Sequence, residues 1–221
     1  MRRALRWLWR LTLAIALVWA GLILAWRFLP AVSTLMAARW ATLAPVERDW
    51  RPLTEMSPHL VAAVVASEDA RFCVHHGVDW TELRGVLSAE GGPARGASTI
   101  TMQTVKNTLL WPSRSVIRKG LELPLALVAE LVWGKPRTME IYLNVAEWGD
   151  GVFGAQAAAR RHFGKDAAAL TRREAALLAA ALPAPIQREA GRPTGRLRAR
   201  AAAIERRTGG GGAPLDCLRP P

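Results

Sequence analysis

The chain has 221 residues, 51% of them hydrophobic, and 30 Lys and Arg against 18 Asp and Glu give it a formal net charge of +12. Two cysteines, Cys73 and Cys217, are too few for a disulfide scaffold or a cysteine-built metal site. They could pair, but with Cys217 in a tail of flexible composition both read as incidental.

Arg2, Arg3, Arg6 and Arg10 form a basic N-terminus (residues 1–10) ahead of an uncharged run from Leu11 to Trp26, closed by Arg27-Phe28-Leu29-Pro30. That run is shorter than the roughly 20 residues of a usual span, but Phe28, Leu29 and snorkelling arginines extend it, giving a transmembrane anchor over 11–29. Trp7, Trp9 and Trp26 sit where interfacial aromatics belong. Arginines before the run and few charges after it predict a cytoplasmic N-terminus and an exported remainder, hence a single-pass protein of the inner (cytoplasmic) membrane with a periplasmic domain. No small-x-small cleavage site follows the run, so the anchor reads as uncleaved. Once the five arginines of this segment are set aside, a surplus of seven basic residues remains, which suits lipid headgroups or a phosphorylated substrate; the exported location argues against nucleic acid. A linker over 30–49 then leads to one compact domain over 50–190, followed by a basic, then Gly/Pro-rich tail over 191–221 whose last residues, including Gly209 to Gly212 and Pro220-Pro221, read as a disordered end.

Ser57-Pro58 predicts a helix start, with a hydroxyl cap and proline in the first turn. Leu60, Val61, Val64 and Val65 make an apolar stripe, and Glu68 follows Val61 and Val64 by seven and four residues, in line with buried side chains. A carboxylate held against apolar surface resists ionising, so Glu68 is a candidate proton acceptor near neutral pH. The plainer alternative is a helix-end acid that is solvated or paired with Arg71. The stretch from Ser67 to Asp79 also holds Asp69, Phe72, His75, His76 and Gly77.

The segment 90–96 reads as a mobile loop by its glycines and proline. Ser98 or Thr99 can cap the next helix, where Met102, Val105 and Leu109 form a core stripe while Gln103 and Lys106 point together, either as a grip on a phosphate or sugar or as a solvated face. Arg114, Arg118 and Glu122 recur every fourth residue with Lys119 beside them: a cationic cradle for a diphosphate, or ordinary intrahelical pairing. Leu121, Leu125 and Val128 are expected to supply the opposing core stripe, and Pro124 is expected to kink or restart the helix near Gly120. A short helix over 135–144 carries Tyr142 and Asn144, glycines follow it, and helices at Ala155–Phe163 and after the capping box Thr171-Arg172-Arg173-Glu174 read as scaffold.

Taken in order, these stretches resemble the peptidoglycan glycosyltransferases of glycosyltransferase family 51, in the monofunctional membrane-anchored form. The motif Glu-Asp-x-x-Phe-x-x-His-x-Gly-x-Asp is met by Glu68, Asp69, Phe72, His75, Gly77 and Asp79. Gly-x-Ser-Thr-Ile-x-x-Gln-x-x-Lys-Asn is met by Gly96, Ser98, Thr99, Ile100, Gln103, Lys106 and Asn107; Arg-Lys-x-x-Glu by Arg118, Lys119 and Glu122; and a fourth motif by Lys135, Tyr142, Leu143, Asn144 and Gly149. The resemblance spans about residues 45–190. Met102 and Pro124 depart from the pattern, and too few residues follow Pro183 for a transpeptidase domain.

The resemblance implies a mainly α, lysozyme-like domain with a small mobile membrane-proximal lobe, and a substrate, lipid II, carried on a polyprenyl diphosphate. It implies catalytic roles for Glu68, as general base, and for Glu122, with Lys106, Arg114, Arg118 and Lys119 receiving the leaving diphosphate. Asp69, Phe72, His75, Ser98, Thr99, Gln103, Asn107, Tyr142 and Asn144 are the remaining expected substrate-binding positions; Ser98, Gln103 and Asn107 suit either substrate contact or site architecture, and Asp69 and His75 suit bracing more than proton transfer. No cofactor is required by the sequence and no metal-ligand spacing is present, although some members of the family place a divalent cation, Mg or Mn, near the diphosphate. The implied partners are lipid II, the growing strand and the bilayer, with other cell-wall synthesis or division proteins as candidates. The rival readings are a peptidoglycan-cleaving enzyme of the same architecture and a non-catalytic membrane-anchored scaffold.

Overall fold

The computed structural model describes residues 2–88, 97–113, 115–209 and 215–218. The predicted loop at 90–96, Gly96 and Arg114 lie outside the described residues. The mainly α architecture is as expected from the sequence.

Helix α1 (Arg2–Trp26) has mean hydropathy 2.0 over its most apolar window and exposes most of its surface, so by length and composition it can cross a membrane. Its C-terminal half is docked on the rest of the protein. Trp19 Nε1 donates to the Leu109 carbonyl at 3.2 Å, Trp133 Nε1 to that of Ile23 at 2.8 Å, and Arg137 Nε to that of Trp26 at 2.9 Å. The stretch read as a linker is structured: it holds α2 (Thr34–Ala41), capped by Ser33, and strand β1 (Glu47–Arg48). Strand β1 pairs in parallel with β3 (Val152–Phe153), which pairs antiparallel with β2 (Glu147–Gly149). At the β2–β3 turn Gly151 has φ +72°, and a Cβ there would stand 2.7 Å from the Arg39 guanidinium and 2.8 Å from the Pro45 carbonyl oxygen, so only glycine fits.

Two apolar clusters form the interior. One gathers α3 (Pro58–Glu68), α7 (Ala155–Phe163), α8 (Arg172–Ala181) and α9 (Gly195–Gly209) around Leu60, Val64, Phe72 and Leu178. The other joins the end of α1 to α5 (Ile100–Leu109) and α6 (Val116–Val145) around Met102, Val105, Ala126 and Trp133. Helix α4 (Trp80–Leu87) is capped by Asp79. Ser57 caps α3 as predicted, Thr99 caps α5, and the Thr171–Glu174 capping box is formed.

Helix α6 departs from expectation twice. It runs through Pro124, because Pro124 and Gly120 both face solvent, where water can take the carbonyl that the proline leaves without an amide. The break falls at Gly134 (φ 67°, ψ 175°), and Pro136 opens the segment that follows. The helix is also turned differently about its axis: Arg118, Glu122, Leu125 and Ala129 face inward, Val128 faces outward, and Leu121 is half-buried. Pairing of Glu122 with Arg118 and Lys119 removes most of the penalty for burying these charges.

The stretch read as a basic C-terminal tail is structured over much of its length, with Gly210 to Gly212 and Pro220-Pro221 outside the described residues. Helix α9 lies within it and buries Leu197, Ala201 and Ile204 on one face, packing on α3 and α8. Cys73 and Cys217 are not incidental: they form a disulfide across 144 residues of chain, with Cα atoms 5.5 Å apart. No spacing argument could have foreseen it, since Cys217 reaches Cys73 only because α9 folds back along α3. In the chain-entropy view a cross-link of this length stabilises by about 2–4 kcal/mol or more. Reduction, or Cys217→Ser, is therefore expected to lower the thermal midpoint by about 5–15 °C, and the variant should no longer respond to reductant; scanning calorimetry of the solubilised protein checks this.

Candidate active site

Glu68 is the last residue of α3, half-buried at the wall of a cleft of about 550 Å³ that Ser98, Gln103 and Arg207 also line. Burial pushes its carboxyl up from the ordinary glutamate range, while hydrogen bonds from Gln103 and Ser67 and the nearby charge of Lys106 act the other way. Gln103 Nε2 donates to Glu68 Oε2 at 3.1 Å, and the Tyr142 hydroxyl donates to Gln103 Oε1 at 3.3 Å. Burial raises the Tyr142 hydroxyl well above its ordinary value, so it stays protonated and fixes which end of the amide faces Glu68.

Gln103 also lines a second cavity of about 240 Å³, with Thr34, Lys106, Asn107, Tyr142 and Glu147 in its wall. Thr34 begins the helix that follows the membrane segment, so this cavity sits at the foot of the anchor. Burial pushes the Lys106 ammonium below its ordinary pKa, with Glu122 the strongest opposing influence. Lys106 makes no ion pair among the described residues. An ammonium held in a cavity wall with no carboxylate in ion-pair contact is suited to receive an anion.

Beside it, Glu122 is 2% exposed and accepts from Arg118 and, at 2.8 Å, from Lys119 Nζ, which also donates to Ser98 Oγ at 2.6 Å. Glu122 is thus neutralised and holds two cations in place. Both its oxygens are engaged, and no group of three acid, histidine or cysteine side chains suited to a metal occurs among the described residues.

Several predicted positions turn inward. The Asp69 carboxylate meets His75 Nε2 at 3.0 Å and accepts from the Ile100 amide at 2.9 Å. Thr99 Oγ1 donates to the Gly77 carbonyl at 2.6 Å, and Gly77 itself has φ +79° and no room for a Cβ, which would lie 2.6 Å from the Ala126 carbonyl oxygen. Phe72 is fully buried, with Lys135 Nζ 4.3 Å from its ring centre. Asn144 accepts from the Arg51 amide at 2.9 Å and donates to the Arg51 and Glu140 carbonyls at 2.8 Å. Asp69, Phe72, His75, Thr99 and Asn144 therefore shape the site in this arrangement, whereas Glu68, Ser98, Gln103, Lys106 and Asn107 line its two cavities, and the largely buried Arg118–Lys119–Glu122 cluster adjoins them through the Lys119–Ser98 hydrogen bond. Arg71 pairs with Asp79 at 2.8 Å and not with Glu68, which disposes of the paired helix-end reading. Sequence reasoning missed Arg207, hidden in a stretch taken for tail, and Glu147, whose carboxyl is raised by burial and accepts from the Gly151 amide at 3.1 Å.

Glu68, a carboxyl of raised affinity for protons in the wall of a cleft of a mainly helical domain with cations nearby, fits an enzyme that transfers carbohydrate. The family model described as Transglycosylase matches residues 36–208. The biosynthetic peptidoglycan transglycosylase of Rhodospirillum centenum is 54% identical over 209 residues, 93% of this chain and 90% of that protein. Those of Rhizobium meliloti (53% over 193 residues, covering 86% and 82%) and Brucella suis (48% over 209 residues, covering 94% and 93%) are similar to it as well. The chain belongs to the transglycosylase family.

Gln103 stabilises the charged form of Glu68, so Gln103→Leu should raise the Glu68 pKa further and move the acid limb of the pH–rate profile to higher pH. Measuring kcat/KM against pH for both proteins checks the sign.

Proposed function

We propose that this chain polymerises lipid II into glycan strands, with Glu68 as the general base. The carboxylate of Glu68 takes the proton of the 4-hydroxyl of the acceptor's N-acetylglucosamine. That oxygen bonds to the anomeric carbon of N-acetylmuramic acid at the reducing end of the growing strand, the bond to the diphosphate breaks, and polyprenyl diphosphate departs with the electron pair while the configuration inverts from α to β. Lys106, Arg118 and Lys119 offset the charge that develops on the leaving group, and Glu122 orients the latter two. Arg114 is assigned to the same task on the resemblance alone. A divalent cation beside the diphosphate would add to the same offset of leaving-group charge.

One observation carries this reading over strand cleavage. Gln103 joins Glu68 to a cavity in which Lys106 stands unpaired. A hydrolase has no use for that cation, whereas a departing diphosphate needs it.

Its place in the cell follows from three supports. Basic residues ahead of α1 favour a cytoplasmic N-terminus. The Cys73–Cys217 bond suits an oxidising compartment such as the periplasm. Val116, Ile117, Val128 and Leu131 on α6 expose apolar surface, and the same helix packs on α1, which suits a face resting on the bilayer of the inner membrane.

Detergent-solubilised protein supplied with labelled lipid II should yield polymer, and Glu68→Gln should lower the rate by about 100-fold or more with the fold intact. Degradation of preformed glycan without polymerisation would reverse the assignment, and full activity of the variant would remove Glu68 as base.

A further inference from the structure

Away from Lys106, on the Glu68 side of Gln103, one cation has no task in the mechanism. Among the described residues the cleft that holds Glu68 is lined by two arginines, Arg71 and Arg207. Arg71 is committed to Asp79, whose other oxygen accepts from the Thr81 and Glu82 amides at the start of α4. Arg207 is exposed and makes no hydrogen bond or ion pair among the described residues. Its place is set from below: Leu197, Ala201 and Ile204 seat α9 on α3 and α8, which carries the last turn of α9 to the rim of the cleft at the end of α3. Basic residues in a last turn favour the helix dipole, and this accounts equally for Arg206 and Arg207. Of the two, only Arg207 lines the cleft.

We propose that Arg207 is a specificity-determining residue that receives a carboxylate of the peptide borne by the substrate glycan. This rests on the reading of the chain as a lipid II polymerase. The sugars of such a substrate are neutral, and its diphosphate is matched by Lys106, Arg118 and Lys119. The remaining anions are the carboxylates of the peptide on each muramic acid. A guanidinium with all its donors free fits a carboxylate in a two-pronged pair, and on an open rim such a pair adds modest affinity and discrimination.

The test uses the full-length protein and two substrates, lipid II with free peptide carboxylates and lipid II with those groups converted to carboxamides. For Arg207→Ala the KM for the carboxylate substrate should rise about five- to tenfold with kcat within about twofold. The amidated substrate should be used equally well by wild type and variant. Arg207→Lys should recover part of the loss, and Arg206→Ala, in the same helical turn, should match wild type. An unchanged KM in Arg207→Ala, or an equal loss on both substrates, overturns the assignment, the second outcome pointing to the diphosphate instead. Absence of polymer from wild type would remove the functional reading and this inference with it; polymer from wild type with an unaltered variant would remove the arginine assignment alone.

Discussion

The arrangement of this site depends on the carboxylate of Asp69. It follows Glu68 directly, at the end of α3, and reaches two partners distant in the chain: His75 at 3.0 Å and the Ile100 amide in the first turn of α5 at 2.9 Å. The second bond satisfies an amide that a helix start leaves free and puts a negative charge where the dipole of α5 favours it. It also abuts the end of one helix on the beginning of another. Glu68, one residue before the joint, then faces Gln103, one turn into α5. Without that joint the raised pKa of Glu68 would have no fixed partner and the amide no fixed orientation. Thr99 and Gly77 reinforce it on the next layer, which explains why the close approach of Gly77 to Ala126 tolerates no side chain.

Around this joint, charges are sorted by whether they are already matched. Glu122 lies deepest and is fully compensated, Asp79 is compensated by Arg71 and by backbone amides, and Glu130 by Lys135 at 2.6 Å. Glu68, Lys106 and Arg207 are left over. Burying a matched pair is close to neutral, so the first group serves as frame; Glu68 and Lys106 are held partly out of water without an ion pair and Arg207 stands in solvent, so the second group is where a ligand has most to offer.

Much of this was legible in the sequence because caps and helical spacing act locally. Ser57, Thr99 and the Thr171–Glu174 box mark helix starts by chemistry confined to four residues, and the apolar line from Val61 to Glu68 announced a carboxylate held out of water. What escaped depends on contacts between distant segments. The turn of α6 about its axis is decided by the Glu122 ion pairs more than by its leucines. Pro124 was tolerated because its face is wet, and Gly134 broke the helix instead. The 30–49 stretch folds because β1 finds β3 more than a hundred residues away. The basic composition of α9 concealed a three-residue apolar stripe, and with it the meeting of Cys73 and Cys217. Motif order carried the family; it could not say which motif residues face a ligand and which face one another.

The docking of α1 fixes the posture of the domain. Hydrogen bonds from Trp19, Trp133 and Arg137 fasten α1 to α5 and α6, so the cavity at its foot keeps a fixed distance and angle to the helix that can cross the lipid. A substrate tethered to the same lipid by its own tail then shares a plane with the site that consumes it. Encounter becomes a search over a surface in place of a volume, and α1 works as a ruler whose length is set by where Trp133 and Arg137 grip it and where its own Trp19 holds α5.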